Sequence, residues 1–257
     1  MRWGVWGAAI GGALALLAFA PAAWLAGALA SATDDRLLLA DARGTVWAGS
    51  AAVVLTGGSG SRDASALPGR IQWSLVPDGA GLALRARHAC CINGELRLLL
   101  RPGLGRMRVE LPAVQGAIGQ WPAAWLAGLG TPWNTLQPTG SLQLSSSGLA
   151  VESVQGHWLF SGRADLELNA MASRVSTLEV LGSYLVRLEG DGAGSVASMQ
   201  LSTLSGPLQL SGSGQWAASR LRFTGQASAA PGAESALNNL LNIIGRRQGA
   251  LTLISIG

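Results

Sequence analysis

Past position 35 the chain alternates apolar and polar residues with a period of two. In "RMRVEL", Arg106, Arg108 and Glu110 fall on one face and Met107, Val109 and Leu111 on the other. "ADLELN" sets Asp165, Glu167 and Asn169 against Leu166 and Leu168, and "SLQLS" pairs Leu142 with Leu144. "PLQLSGSG" does the same with Leu208 and Leu210, and "SRLRF" turns Arg220 and Arg222 away from Leu221 and Phe223. One-sided alternation of this kind belongs to antiparallel sheet with one face on a core and one in water. Turn signals separate the runs: "GGSGS" at 57–61, "PDGAG" at 77–81, "RPGLG" at 101–105 and "GDGAG" at 190–194. The rhythm predicts a mainly β chain, a curved antiparallel sheet or a sandwich-like domain.

Two segments keep a helical spacing instead. "QWPAAWLAGLG" (120–130) places Trp121 and Trp125 four apart, and "ESALNNLLNIIG" (234–245) puts Leu237, Leu240, Leu241 and Ile244 on one stripe ending at Gly245. Each half of the chain thus ends in a short helix. With a break near "TPWNTLQPTG", this weak repeat predicts two similar β subdomains, 34–130 and 131–257, sharing one sheet.

The N-terminus differs. No charged residue occurs from Trp3 to Thr33, a run long enough to cross the hydrocarbon core of a bilayer. Arg2 precedes it, and Asp34 and Asp35 follow. That polarity predicts residues 1–33 as a cytoplasmic tip and single-pass transmembrane anchor, with the C-terminal domain in the periplasm. A signal peptide cleaved after "ALA" (28–30) is the rival, but the apolar run exceeds a normal signal core. Pro21 is placed to kink or end the helix, and Trp3, Trp6 and Trp24 suit the interfaces. Immediately beyond, "GTVWAGSAAVVL" (44–55) reads as strand, corner at Gly49 and strand, with Trp47 a buried structural anchor.

Composition narrows the function classes. The chain of 257 residues has 18 basic side chains, all arginine, against 14 acidic ones. Net charge is only +4, and aromatics other than tryptophan are scarce, which argues against a nucleic-acid surface. Neither of the two histidines sits near a nucleophile elbow, and "GDGAGS" precedes a strand rather than a helix, so no hydrolase or phosphate-loop pattern is present. Asp165 and Glu167 read as a wet strand face. No catalytic residue, cofactor or metal site is assigned, and the chain is read as no enzyme.

Two clusters remain. "HACC" holds His88, Cys90 and Cys91; adjacent cysteines lack the spacing of a zinc site. In an oxidising compartment Cys90 and Cys91 form either a vicinal disulfide or opposite-facing thiols, one of them bridging to another chain. Arg85, Arg87, Arg97, Arg101, Arg106 and Arg108 are interrupted by Glu95 alone. On adjacent strands they make a basic contact surface for lipid head groups or an acidic partner, or simply an ordinary wet face.

The order of these features resembles the type II secretion system protein N family. The resemblance is carried by the N-terminal anchor, "GTVWAGSAAVVL", "IQWSLVP" (71–77, with Trp73 as a second structural anchor) and "LPA" (111–113). It continues through "LGSYLVRLEG" (181–190), "LSTLSGPLQLSGSGQW" (201–216), "RFTGQASA" (222–229) and "LLNIIGRRQG" near the C-terminus. It implies a periplasmic domain tethered to the inner membrane, an accessory part of the secretion machinery. The partners it implies are other secretion components, the inner-membrane clamp protein or the outer-membrane secretin. It brings no catalytic residues, and the paired cysteines are not part of its pattern. The residues alone leave a second class open: a lipid-binding or lipid-shuttling groove, because a long sheet with one apolar face beside a bilayer suits acyl chains.

Overall fold

The computed structural model describes residues 6, 11–12, 15–154, 157–192, 196–217 and 220–257. Trp3, positions 193–194 of the "GDGAG" turn, and the side chains of His157, Arg220 and Leu221 lie outside the described residues.

Sixteen strands form one antiparallel sheet. They are β1 (Leu37–Gly44), β2 (Ala48–Thr56), β3 (Ala64–Ala66), β4 (Ile71–Asp78), β5 (Gly81–His88) and β6 (Leu96–Gly103). Next come β7 (Arg106–Leu111), β8 (Ala117–Pro122), β9 (Pro138–Val154), β10 (His157–Ser173) and β11 (Gly182–Asp191). The last are β12 (Val196–Ser205), β13 (Leu208–Ala217), β14 (Arg220–Ala229), β15 (Arg246–Gln248) and β16 (Leu251–Ile256). The order is β1-β2-β4-β5-β6-β7-β9-β10-β11-β12-β13-β14-β16-β15, with β3 beside β2 and β8 beside β9. It is a meander, as the evenly spaced turn signals require: the tips fall at "PDGAG" between β4 and β5 and at Leu104–Gly105 between β6 and β7.

The two faces keep the alternation across the seams. Leu100 stands opposite Val109, Val109 opposite Val151, and Val151 opposite Phe160, so one apolar face crosses from β6 to β10. At the β9–β10 bulge between Gly162 and Ala164, β9 changes the parity of its inward residues from Leu142 and Leu144 to Leu149 and Val151. The extra residue on β9 lets both ends of a 17-residue strand keep their apolar side chains inward. The sheet also curls. β8 and β2 stand four strand spacings apart, about 19 Å in a flat sheet. Yet Trp121 of β8 and the following Trp125 pack on one cluster with Val53 of β2, Leu67 and Cys91.

Helices are few. The segment expected as a helix from 120 to 130 begins as strand β8; Pro122 ends the pairing, and a 3₁₀ stretch, Ala123–Leu129, follows. The C-terminal helix α3 (Glu234–Ile244) forms where the leucine stripe predicts it and buries Leu237, Leu240 and Leu241 against the largest core, with Leu142, Met171, Leu181, Tyr184 and Leu208. Between them lies the four-residue α2 (Trp133–Leu136). The N-terminal helix α1 (Ala22–Ala32) has eleven residues, about 16 Å of helix. The charge-free run is broken at Pro21, whose position is expected to kink or end the helix. Pro21, lacking an N–H, stands in extended conformation at the start of α1 and bridges Thr45. Among the described residues no helix is long and apolar enough to cross a membrane.

Candidate functional site

Two regions bring the sequence-predicted residues together: the joint below α1 and the wet face of β5–β9. At the joint the chain turns over Thr45–Trp47 rather than at Gly49. Trp47 is half-buried, not a core anchor; its indole N–H donates to the Leu17 carbonyl at 2.8 Å. The Val46 amide donates to Ala20 at 2.9 Å. The turn therefore holds the segment that leads into Pro21. Trp73 is the buried member, 6 % exposed, packed with Ala22 and Ala51 and donating to the Val46 carbonyl at 3.1 Å. Gly49 is required beneath it, because a Cβ there would meet the Trp73 ring at 2.5 Å.

The six arginines share the wet face. Arg85 stands directly opposite Arg97, and Arg101 opposite Arg108. Like charges so placed repel, and carboxylates from four positions offset them. Glu95 reaches Arg87 at 2.7 Å and Arg85 at 3.8 Å. Asp78 reaches Arg97 at 3.1 Å. Glu110 holds Arg108 at 2.6 Å and Arg101 at 3.6 Å, and Glu152 holds Arg108 at 3.3 Å. Arg106 has no ion pair among the described residues. The Glu110 hydrogen bond, helped by Glu152, raises the Arg108 pKa further above its ordinary value. The surface is thus a charge lattice with a small positive excess, bordering a polar groove of about 710 Å³ at the β4–β5 and β6–β7 tips. Asp78 and Glu152 are invisible in the local sequence because they arrive from other strands.

The same face continues with a second lattice. Arg163 and Arg187 flank Asp165 at 2.6 and 3.0 Å, and Glu189 completes it. The Arg163 hydrogen bond, then that of Arg187, holds the Asp165 carboxyl below the usual carboxylate range. Asp165 is therefore a fixed structural anion rather than a proton donor.

Cys90 and Cys91 are joined to each other by a disulfide at the end of β5, Cys91 buried and Cys90 exposed. His88 beside them is 4 % exposed, and its Nδ1 accepts from the Cys90 amide at 3.3 Å. Burial lowers its pKa. The donor atoms of all three residues lie within 4.8 Å of one another. With both sulfurs in the disulfide, the imidazole alone is left as a ligand, which does not make a metal site.

A third feature is raised by the sequence only as a groove, with no residues assigned to it. On the apolar face, a cavity of about 430 Å³ is lined by Leu149, Val151, Trp158, Phe160, Leu188 and Ala197, and Ala32 at the end of α1 meets it. Alternation alone cannot tell such an open stretch from a closed core.

A family model described as type II secretion system (T2SS), protein N, matches residues 35–252. No curated protein and no solved structure matches the chain.

Proposed function

The chain belongs to the type II secretion system protein N family, and from that premise we propose that it is a non-enzymatic accessory component of the secretion machinery. The observation that carries this reading is the extent of the match, from β1 into β16, which takes in nearly the whole sheet. In this reading residues 1–33 hold the protein at the inner membrane, with the N-terminus cytoplasmic and the sheet periplasmic. The charge-free run from Trp3 to Thr33 supports it, and so does a disulfide, which persists in oxidising compartments. The sheet acts as two units, 34–130 and 131–257. The first centres on the clusters around Trp73 and Leu67 and the second on the core under α3.

The partner surface is the arginine lattice of β5–β9. Its charges are half-exposed and, apart from Arg106, paired with one another, which leaves a small positive excess and suits a reversible contact with another charged secretion component, the inner-membrane clamp protein or the secretin. The test is export in a deletion strain. Folded enzymes normally secreted are expected to accumulate in the periplasm, and the full chain to restore their release. Undiminished export from the deletion strain would sink the reading.

A further inference from the structure

The apolar face of the mid-sheet strands is covered at one end only. Along β10 the inward positions run Leu168, Leu166, Ala164, Gly162, Phe160 and Trp158. The leucine end lies in the core that α3 closes, while at the Trp158 end the cavity stays open and Trp158 is 44 % exposed. At about 430 Å³ it falls inside the roughly 300–1,000 Å³ range of small-ligand sites.

The lining states what would fit. Its side chains are hydrocarbon, apart from Glu189 and the indole N–H of Trp158. Glu189 alternates with Leu188 and Gly190, and its carboxylate is engaged on the opposite face with Arg163 and Arg187, at 3.8 and 3.9 Å. A peptide in this cavity would bury several N–H and C=O groups with a single indole N–H to bond them. A hydrocarbon chain has no such groups, and apolar cavities stay dry and take apolar ligands. The position names the source. Ala32, which meets the cavity, is the last residue of α1 and lies next to the end of the charge-free N-terminal run. The cavity therefore opens at the far end of the apolar helix that joins the rest of that run to the sheet, so a bilayer in contact with α1 would reach it. We propose that it binds one acyl chain of a membrane phospholipid, drawn from the bilayer beside α1.

The experiment uses the full chain in vesicles of phosphatidylglycerol and phosphatidylcholine carrying a phospholipid with a diazirine near the end of one acyl chain. After irradiation the chain is digested and the labelled residues mapped. Label is expected in the peptides holding 149–160 and 188–197, besides the N-terminal segment. Leu188→Trp, which fills the cavity, is expected to lower the sheet label about tenfold, as loss of burial for a couple of methylenes would do. Labelling of residues 1–33 should not change, which reports that the variant still folds and inserts. Leu188→Gln, which keeps the volume but adds an amide, should lower the sheet label too. Label confined to residues 1–33 would overturn the proposal. So would sheet label that is equal in all three proteins, or, with a photoreactive residue placed at 160, a crosslink to residues 1–14, which would mean that this chain itself fills the cavity. No step depends on substrate export, so this result and that of the deletion strain can fail independently.

Discussion

Trp73 and Gly49 are one unit, since the indole occupies the space a side chain at 49 would need, and the Arg43 carbonyl closes that space from the other side at 2.6 Å. Gly49→Ala is expected to destabilise the chain by about 1–3 kcal/mol, the usual cost of overpacking, read as a lower urea midpoint. His88 gives a pH dependence. Because Nδ1 accepts a hydrogen bond, the proton of the neutral ring sits on Nε2, which is buried without a partner among the described residues. Burial holds the folded pKa below the ordinary 6.5, so the unfolded chain takes up a proton first as pH falls. Stability should therefore drop as pH falls through 6.5 and level off below the folded pKa. Asp165 enters later: its folded pKa is depressed below 3.8, so its stabilisation is lost only as pH falls below that value. Denaturation midpoints between pH 7.5 and 5 should fall for the natural chain and stay flat for His88→Phe. Cys90 and Cys91 make a simpler test: the denatured chain should take up no thiol reagent until it is reduced.

At the scale of elements, α3 shows what a strong local pattern can fix. Leu237, Leu240 and Leu241 are at most 2 % exposed. Leu240→Ala should cost about 2–5 kcal/mol, against less than about 0.5 kcal/mol for exposed Asn239→Ala, both measured by chemical denaturation. The strand pattern of "RMRVEL" was equally legible, because its inward and outward residues never mix. The segment 120–130 was not. Trp121 and Trp125 fit a helix by spacing, but Trp121 pairs with Leu142 in the sheet, and the helix waits until Pro122 has ended the ladder. The charge lattice was half legible: Arg108 and Glu110 are two residues apart, whereas Glu152 meets Arg108 only through the β7–β9 register. The joint was legible in composition but not in geometry. Trp47 stood out between glycines, yet the hydrogen bond to Leu17 that gives it a role comes from 30 residues away.

Over the whole molecule, an open sheet has two edges that must be kept from pairing with other copies. At one end the guard is β15, three residues long and exposed throughout, two of them arginine. Replacing Arg246 and Arg247 with valine should leave the fold intact and raise self-association, seen as concentration-dependent light scattering. The strand order has a further consequence, in time rather than space. Neighbours in the sheet are neighbours along the chain, save where β3, β8 and β15 are stepped over. If the chain crosses the membrane with its N-terminal strands first, the strands arrive in the order in which they pair, so each new one meets a finished edge. The longest step out of sequence is the β7–β9 seam, which must wait for β8, the 3₁₀ stretch and α2 to be made. Closing that loop is the most non-local event of the pathway. The first half is therefore welded to the second along β9, with Arg106 to Leu111 against Leu149 to Val154 and Ala117 to Pro122 against Ser141 to Ser145.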